Sequence, residues 1–151
     1  MENSNLQKAV GSVFVSRIPG PYLAQAWPVA AKLMESAIEY TAGDSLMSDY
    51  LDAIVKDAMQ LWGIWLDDRM VAAAVTQICH YPQCKALHGL LIGGGEMDKW
   101  MRDLDAALMA FARDAGCKKF FVFGRRGWEP KLKALGYKQS YVALSKEVNH
   151  G

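Results

Sequence analysis

Leu91-Ile92-Gly93-Gly94-Gly95-Glu96-Met97-Asp98-Lys99-Trp100 is the stretch on which the fold turns. A run of strand composition, Lys85 to Ile92, leads into it, and three consecutive glycines break that run. Helical periodicity follows at once. Trp100, Leu104, Leu108 and Phe111 recur at spacings of three and four and form one apolar stripe, opposed by Asp98, Lys99, Arg102, Asp105 and Arg113. Gly116 stands where a helix ends in the left-handed conformation that suits glycine. Lys118 to Phe123 is then mostly apolar, as expected of a strand covered on both faces. Strand, helix and strand in this order predict a parallel pair joined by a right-handed crossover.

Upstream of the glycines, Leu61–Leu66 and Met70–Ile78 read as two strands joined by Asp67-Asp68, too short a link for anything but an antiparallel hairpin. Trp62 and Trp65, three apart on one strand, point to opposite faces. Tyr81-Pro82-Gln83-Cys84 forms the next turn. Further back lie two helical patterns. Leu23, Trp27, Ala30, Ala31, Met34 and Ile38 mark the first, with Pro28 inside it; Leu46, Tyr50, Leu51, Ile54, Val55 and Ala58 mark the second, capped by Asp44 or Ser45. A short edge strand is expected over 11–18, closed by Pro19-Gly20-Pro21, and residues 1–10 are expected to fray. Downstream, Glu129–Leu135 is a short helix ended by Gly136, and Tyr137–Val148 reads as a last strand.

The expected architecture is mixed α/β (α+β). A central sheet of about six strands, antiparallel in its N-terminal part and parallel around the long helix, carries helices on both faces. At 151 residues, one domain over 1–151 is the default.

Composition bounds the function. Apolar residues make up 52% and charged residues 22%, which excludes a disordered chain. Net charge is +1, but residues 1–116 carry nine Lys/Arg against fourteen Asp/Glu and residues 117–151 carry eight against two. The basic end has no nucleic-acid-binding signature and reads as a solvated face, so nucleic acid is not the expected partner. Cys79, Cys84 and Cys117, with His80, His88 and His150, show no metal-ligand spacing, so no metal is expected. No signal region and no apolar run approaching eighteen residues is present, which points to a reduced, cytoplasmic protein with no membrane insertion.

The order of elements, with Leu135-Gly136-Tyr137 after a short helix and the hairpin Trp65–Ala72, resembles the Gcn5-related N-acetyltransferases (GNAT) over roughly residues 22–147. The combination of Gly93-Gly94-Gly95, Trp100, Ala115-Gly116-Cys117, the pentad Gly124-Arg125-Arg126-Gly127-Trp128 and a Leu144-Ser145-Lys146 ending resembles, more narrowly, small GNAT-like proteins of tailed bacteriophages. The family resemblance implies an acetyl-CoA site in which backbone N–H groups at the start of the long helix hold the pyrophosphate. Here that places Gly93, Gly94, Gly95 and Glu96 at the coenzyme. The family's Arg/Gln-x-x-Gly-x-Gly/Ala signature is incomplete: no Arg or Gln precedes the glycines, and Glu96 adds a negative charge where phosphates would sit. The alternative is a tight strand-to-helix turn with no ligand, and it is favoured on sequence.

The resemblance also implies a tyrosine general acid in the short helix, but the aligned position holds Leu132. Tyr137, Tyr141 and Cys117 are the substitutes within reach, each equally readable as packing. His88, on the strand before the glycines, is the foremost general-base candidate, with His80 behind it. Arg125, Arg126 and Trp128 stand at the end of a parallel strand, where sheets of this class place ligands. They suit an anion or a protein partner, or Trp128 simply fills core. Two functions follow. The favoured one is a phage virion or assembly protein, in the host cytoplasm or the virion, that binds other virion components or itself, with acetyl transfer degenerate. The alternative is an acetyl-CoA-dependent N-acyltransferase acting on the amine of a small molecule or protein.

Overall fold

The computed structural model describes residues 12–41, 43–123 and 126–150; residues 1–10, expected to fray, lie outside them. In chain order the elements are β1 (Val13–Arg17), α1 (Gly20–Ile38), α2 (Met47–Val55), β2 (Gln60–Leu66), β3 (Arg69–His80), β4 (Lys85–Gly94), α3 (Met97–Asp114), β5 (Cys117–Val122) and α4 (Glu129–Ala134). The strands form one sheet in the order β1-β2-β3-β4-β5. All neighbours are antiparallel except β4 and β5, the parallel pair that flanks α3.

The β2–β3 hairpin closes through Asp67 and Asp68, both at positive φ (49° and 74°), as a two-residue turn matching the twist of its strands requires. Aspartate is one of the few side chains that tolerates this region, because its short carboxylate bonds nearby backbone. Asp67 uses it to accept the Ser12 N–H at 3.2 Å, which also pins the start of β1.

Alternation along β3 divides the core into two layers. Ala72 and Ala74 face α3, whose Trp100, Leu104 and Leu108 pack on Trp62, Ile64, Leu66 and Leu87. Ala73 and Val75 face α1 and α2, whose Leu23, Ala30, Met34, Tyr50 and Ile54 pack on Leu61 and Leu91. Helices thus cover both faces. Trp62 lies buried edge-on against Phe111 (5.3 Å between centroids), while Trp65 sits on the other face against Phe14 at 5.6 Å. A buried polar chain crosses the α3-side layer: Trp62 Nε1 donates to Thr76 Oγ1 (2.9 Å), which donates to Gln60 Oε1 (2.7 Å).

Three expectations are corrected. First, β4 does not stop at Ile92 but pairs on through Gly93↔Ala73 and Gly94↔Ala72, leaving Gly95 and Glu96 alone as the link to α3. Second, α2 is entered through Leu46, whose N–H is bound by Asp49 Oδ2 at 2.7 Å, and not through Asp44 or Ser45. Third, Tyr137–Val148, expected as a last strand, forms no ladder, and the described sheet of five strands is close to the six expected. Tyr137 stacks on Phe120 and Tyr141 on Phe121, adjacent residues that face opposite sides of β5. The segment therefore crosses the β5 edge from one face to the other and does not run along it. Among the described residues no helix is long and apolar enough to cross a membrane.

Candidate active site at the parting of β4 and β5

β4 carries one residue too many for its partner. Val75 pairs with Leu91 and Thr76 with Gly89, so Leu90 is bulged out. A bulge bends and further twists its strand. The parallel ladder to β5 ends at the same place, with Gly89↔Val122 and a last bond from the Phe123 N–H to the Gly89 carbonyl at 3.1 Å. Beyond it, no described strand accompanies Leu90–Gly94 on the β5 side. Leu91 and Gly93 lie beneath α1 and Ile92 against α3, so this edge, with no described strand beside it, is a slot bracketed by the two helices.

The glycines at the end of the slot have separate reasons. A Cβ on Gly93 would lie 2.5 Å from the Leu33 carbonyl oxygen, so glycine is what lets α1 cross β4 so closely. Gly94 has φ +136°, and a Cβ there would meet the Val71 carbonyl oxygen at 2.3 Å. Gly95 alone faces open space. Its N–H donates to Val71 O (3.1 Å), and its carbonyl accepts the Trp100 indole N–H (2.7 Å), which fastens the turn to the core.

Glu96 takes the left-handed conformation (φ 61°, ψ 38°) just before α3. It lies 2.9 Å from Lys99 and 3.6 Å from Arg69, and the bond from Lys99 holds its carboxyl below the ordinary range. Its charge is outnumbered two to one. The same end of α3 presents the positive end of the helix dipole, and of its first-turn amides that of Lys99 is taken up by the Glu96 carbonyl at 2.9 Å. Asp98, two residues on, is tied to Lys131 of α4 at 2.7 Å. Across the turn, Pro28, Val29, Lys32, Leu33 and Ser36 of α1 form with Gly94 and Gly95 an open groove of about 600 Å³.

His88 lies on β4 one residue before the ladder to β5 ends, on the face opposite α3, and is 9% exposed. Burial pushes its imidazole below the ordinary value. The Tyr81 hydroxyl lies 3.0 Å from its Nε2, and the rings of Tyr81, Phe121 and Phe123 surround it at 6.0, 5.5 and 5.1 Å. Tyr141 joins this face through Phe121, at 5.7 Å. Tyr137 is placed on the other face, where its hydroxyl donates to Asp105 Oδ1 at 2.5 Å and burial raises its pKa. The structure therefore unites His88 with Tyr141 and separates both from Tyr137.

Trp128 packs on the α3-side core. Arg125 and the side chain of Arg126 lie outside the described residues. Burial pushes the Cys117 and Cys79 thiols above the ordinary value. Among the described residues no three His, Cys, Asp or Glu side chains gather closely enough to hold a metal ion.

Four residues of this site carried no isolated signal in the sequence. Tyr81 reads as a turn residue, Phe121 and Phe123 as strand core, and Lys32 as one more charge on a helix. The turn bond from Tyr81 N–H to Cys84 O (2.8 Å) folds Tyr81 back over β4, and only the register reveals it.

No protein-family model and no curated protein matches the chain. Solved structures do. A predicted acetyltransferase from Clostridium acetobutylicum, solved with acetyl-CoA, superposes with a TM-score of 0.69 at 8% identity, covering 93% of this chain and 100% of that one. An aminoglycoside acetyltransferase from an uncultured soil metagenomic sample, in complex with sisomicin, gives 0.64 at 14% identity over 98% and 100%. A GNAT family acetyltransferase of Staphylococcus aureus gives 0.62 at 12% identity over 91% and 99%. The narrower likeness to phage virion proteins has no counterpart among these three. Identities this low speak to architecture alone, and they establish that this chain has the GNAT acetyltransferase fold.

Proposed function

We propose that the protein is an N-acyltransferase that takes its acyl group from acetyl-CoA and transfers it to an amine. The observation that carries this reading is the coincidence at Leu90: the β4 bulge falls where β5 departs, and the opened edge leads straight to the N-terminus of α3. A strand edge of this kind offers alternate N–H and C=O groups to an extended, amide-bearing chain, as the pantetheine arm of coenzyme A is.

The residues fit the coenzyme. Gly95, with open space above it, and the first-turn amides of α3 suit a pyrophosphate. Arg69 and Lys99 neutralise Glu96 and leave net positive charge there, and Lys32 adds more from the α1 side. These cations come from β3, α3 and α1, so they replace in space the Arg or Gln that the loop lacks in sequence. Gly93 and Gly94 serve packing at the end of β4 in this scheme, against Leu33 of α1 and Val71 of β3.

Acetyl-CoA, when bound, supplies an acyl carbon made electrophilic by its thioester. The chain's own work is to orient the acceptor and move protons. His88, held neutral by burial, accepts the proton that the attacking amine must lose. Tyr81, between Nε2 and solvent, carries that proton away. Tyr141, on the same face, is the group assigned to protonate the departing sulfur, a role Leu132 cannot fill.

Release of free thiol from acetyl-CoA, followed with and without an amine acceptor, tests the reading. Amine-dependent release that falls about a hundredfold in His88→Gln, the scale of lost general-base catalysis, is the expected result. Release that ignores both the amine and the substitution would overturn it.

A further inference from the structure

The surroundings of His88 narrow the choice of acceptor. Four aromatic side chains gather on one face of β4 and β5, yet three stay substantially open: Tyr81 is 43% exposed, Phe123 48% and Tyr141 60%. Clustered aromatic surface left in water is costly, and it is typical of a binding site. The aromatic side chains of the cluster carry no charge of their own. Desolvation alone accounts for the lowered pKa of His88, and the Tyr81 phenol is raised by desolvation and then by Tyr141, Cys79 and Cys84. Among the described residues no carboxylate contributes to either shift. Glu96 and Asp98 are committed to cations at the α3 terminus, and Asp105 to Tyr137 on the opposite face.

We infer that this aromatic cluster is the acceptor-binding site and that it takes a monoamine carried on an aromatic ring. The ring would stack among Phe123, Tyr81 and Tyr141, with its amine directed at the Tyr81–His88 pair where β4 and β5 part. An apolar surround favours the free amine over the ammonium, which is the form that attacks. A polyamine or aminosugar, by contrast, would bring further ammonium or hydroxyl groups that the aromatic rings of the cluster do not pair. The use made of the bound amine rests on the acyltransferase reading; its binding does not.

The test is therefore a binding experiment without coenzyme. 2-Phenylethylamine, spermidine and glucosamine are titrated separately into the full chain while the His88 ring resonances are followed by NMR. 2-Phenylethylamine is expected to shift those resonances and to bind at least about tenfold tighter than the other two, a difference of ~1.4 kcal/mol. Phe123→Ala and Tyr141→Ala, both at exposed positions, are expected to weaken it in chains that still unfold cooperatively. Equal or tighter binding of spermidine or glucosamine would overturn the inference, as would 2-phenylethylamine binding that leaves His88 and both variants unaffected. A parallel acetyl-CoA titration separates the two ideas: amine binding without coenzyme binding sinks the acyltransferase reading alone, and coenzyme binding without amine binding sinks this one alone.

Discussion

The Tyr81 hydroxyl stands 3.0 Å from Nε2 of His88, linking a residue of the β3–β4 turn to one on β4 seven positions later. This contact turns an isolated strand histidine into a candidate relay between a buried base and solvent. Its consequences can be measured separately from those of the glycine turn.

The first concerns pH. Burial lowers the His88 pKa from its ordinary 6.5, so folding favours the neutral ring. The unfolded chain protonates first as pH falls, which means that stability is full above about 6.5 and is lost between there and the folded-state value. His88→Gln should show a smaller loss of thermal midpoint between pH 7.5 and 5.5 than the wild type. NMR titration should place the wild-type imidazole below 6.5. A normal or raised value would remove the argument for a neutral base.

The glycines provide a graded series. Gly93→Ala and Gly94→Ala place a Cβ within 2.5 Å of backbone oxygens of Leu33 and Val71. Each should destabilise by about 1–3 kcal/mol or more, the scale of overpacking. Gly95→Ala meets no atom within 4 Å and should be close to neutral in urea denaturation. Equal effects at all three positions would contradict the separate reasons given for them.

Much of this was legible from the chain. The Asp67-Asp68 link dictated a hairpin, the Trp100–Phe111 stripe dictated α3, and Gly116, found at φ +79°, ended it as expected. What escaped was decided between elements. Gly93 and Gly94 read as loop because glycine weakens a strand, yet Ala72 and Ala73 opposite them complete the ladder. The bulge at Leu90 leaves no local mark, since it is a mismatch in count between two strands. The 137–148 run has strand composition, but Tyr137 and Tyr141 anchor it to opposite faces of β5. His88 was visible as a residue type; its partner Tyr81 depended on register.

Thr76 is a third test, of the core. Thr76→Val preserves shape but strands the Trp62 indole N–H and the Gln60 carbonyl oxygen, both buried. A cost of about 1–3 kcal/mol per unsatisfied group is expected in chemical denaturation. A neutral result would mean that the chain Trp62–Thr76–Gln60 contributes nothing to folding.

Charge at the α3 terminus is a fourth. Arg69 and Lys99 are 70% and 61% exposed, so removing either should change stability by less than about 1 kcal/mol. Arg69→Ala and Lys99→Ala should nonetheless weaken acetyl-CoA binding, and the wild-type affinity should fall as salt rises. Affinity unchanged in both variants would dissociate these cations from the phosphates.

The central claim, that the slot at Leu90–Gly95 holds acetyl-CoA, meets its most direct test in calorimetric titration of the coenzyme into the wild type and Gly95→Asp. Gly95 has room for a side chain, so the variant should keep its thermal midpoint while a carboxylate stands where the pyrophosphate approaches. Saturable binding to the wild type and at least about tenfold weaker binding to the folded variant are expected. No binding to the wild type, or equal binding to both, would contradict it.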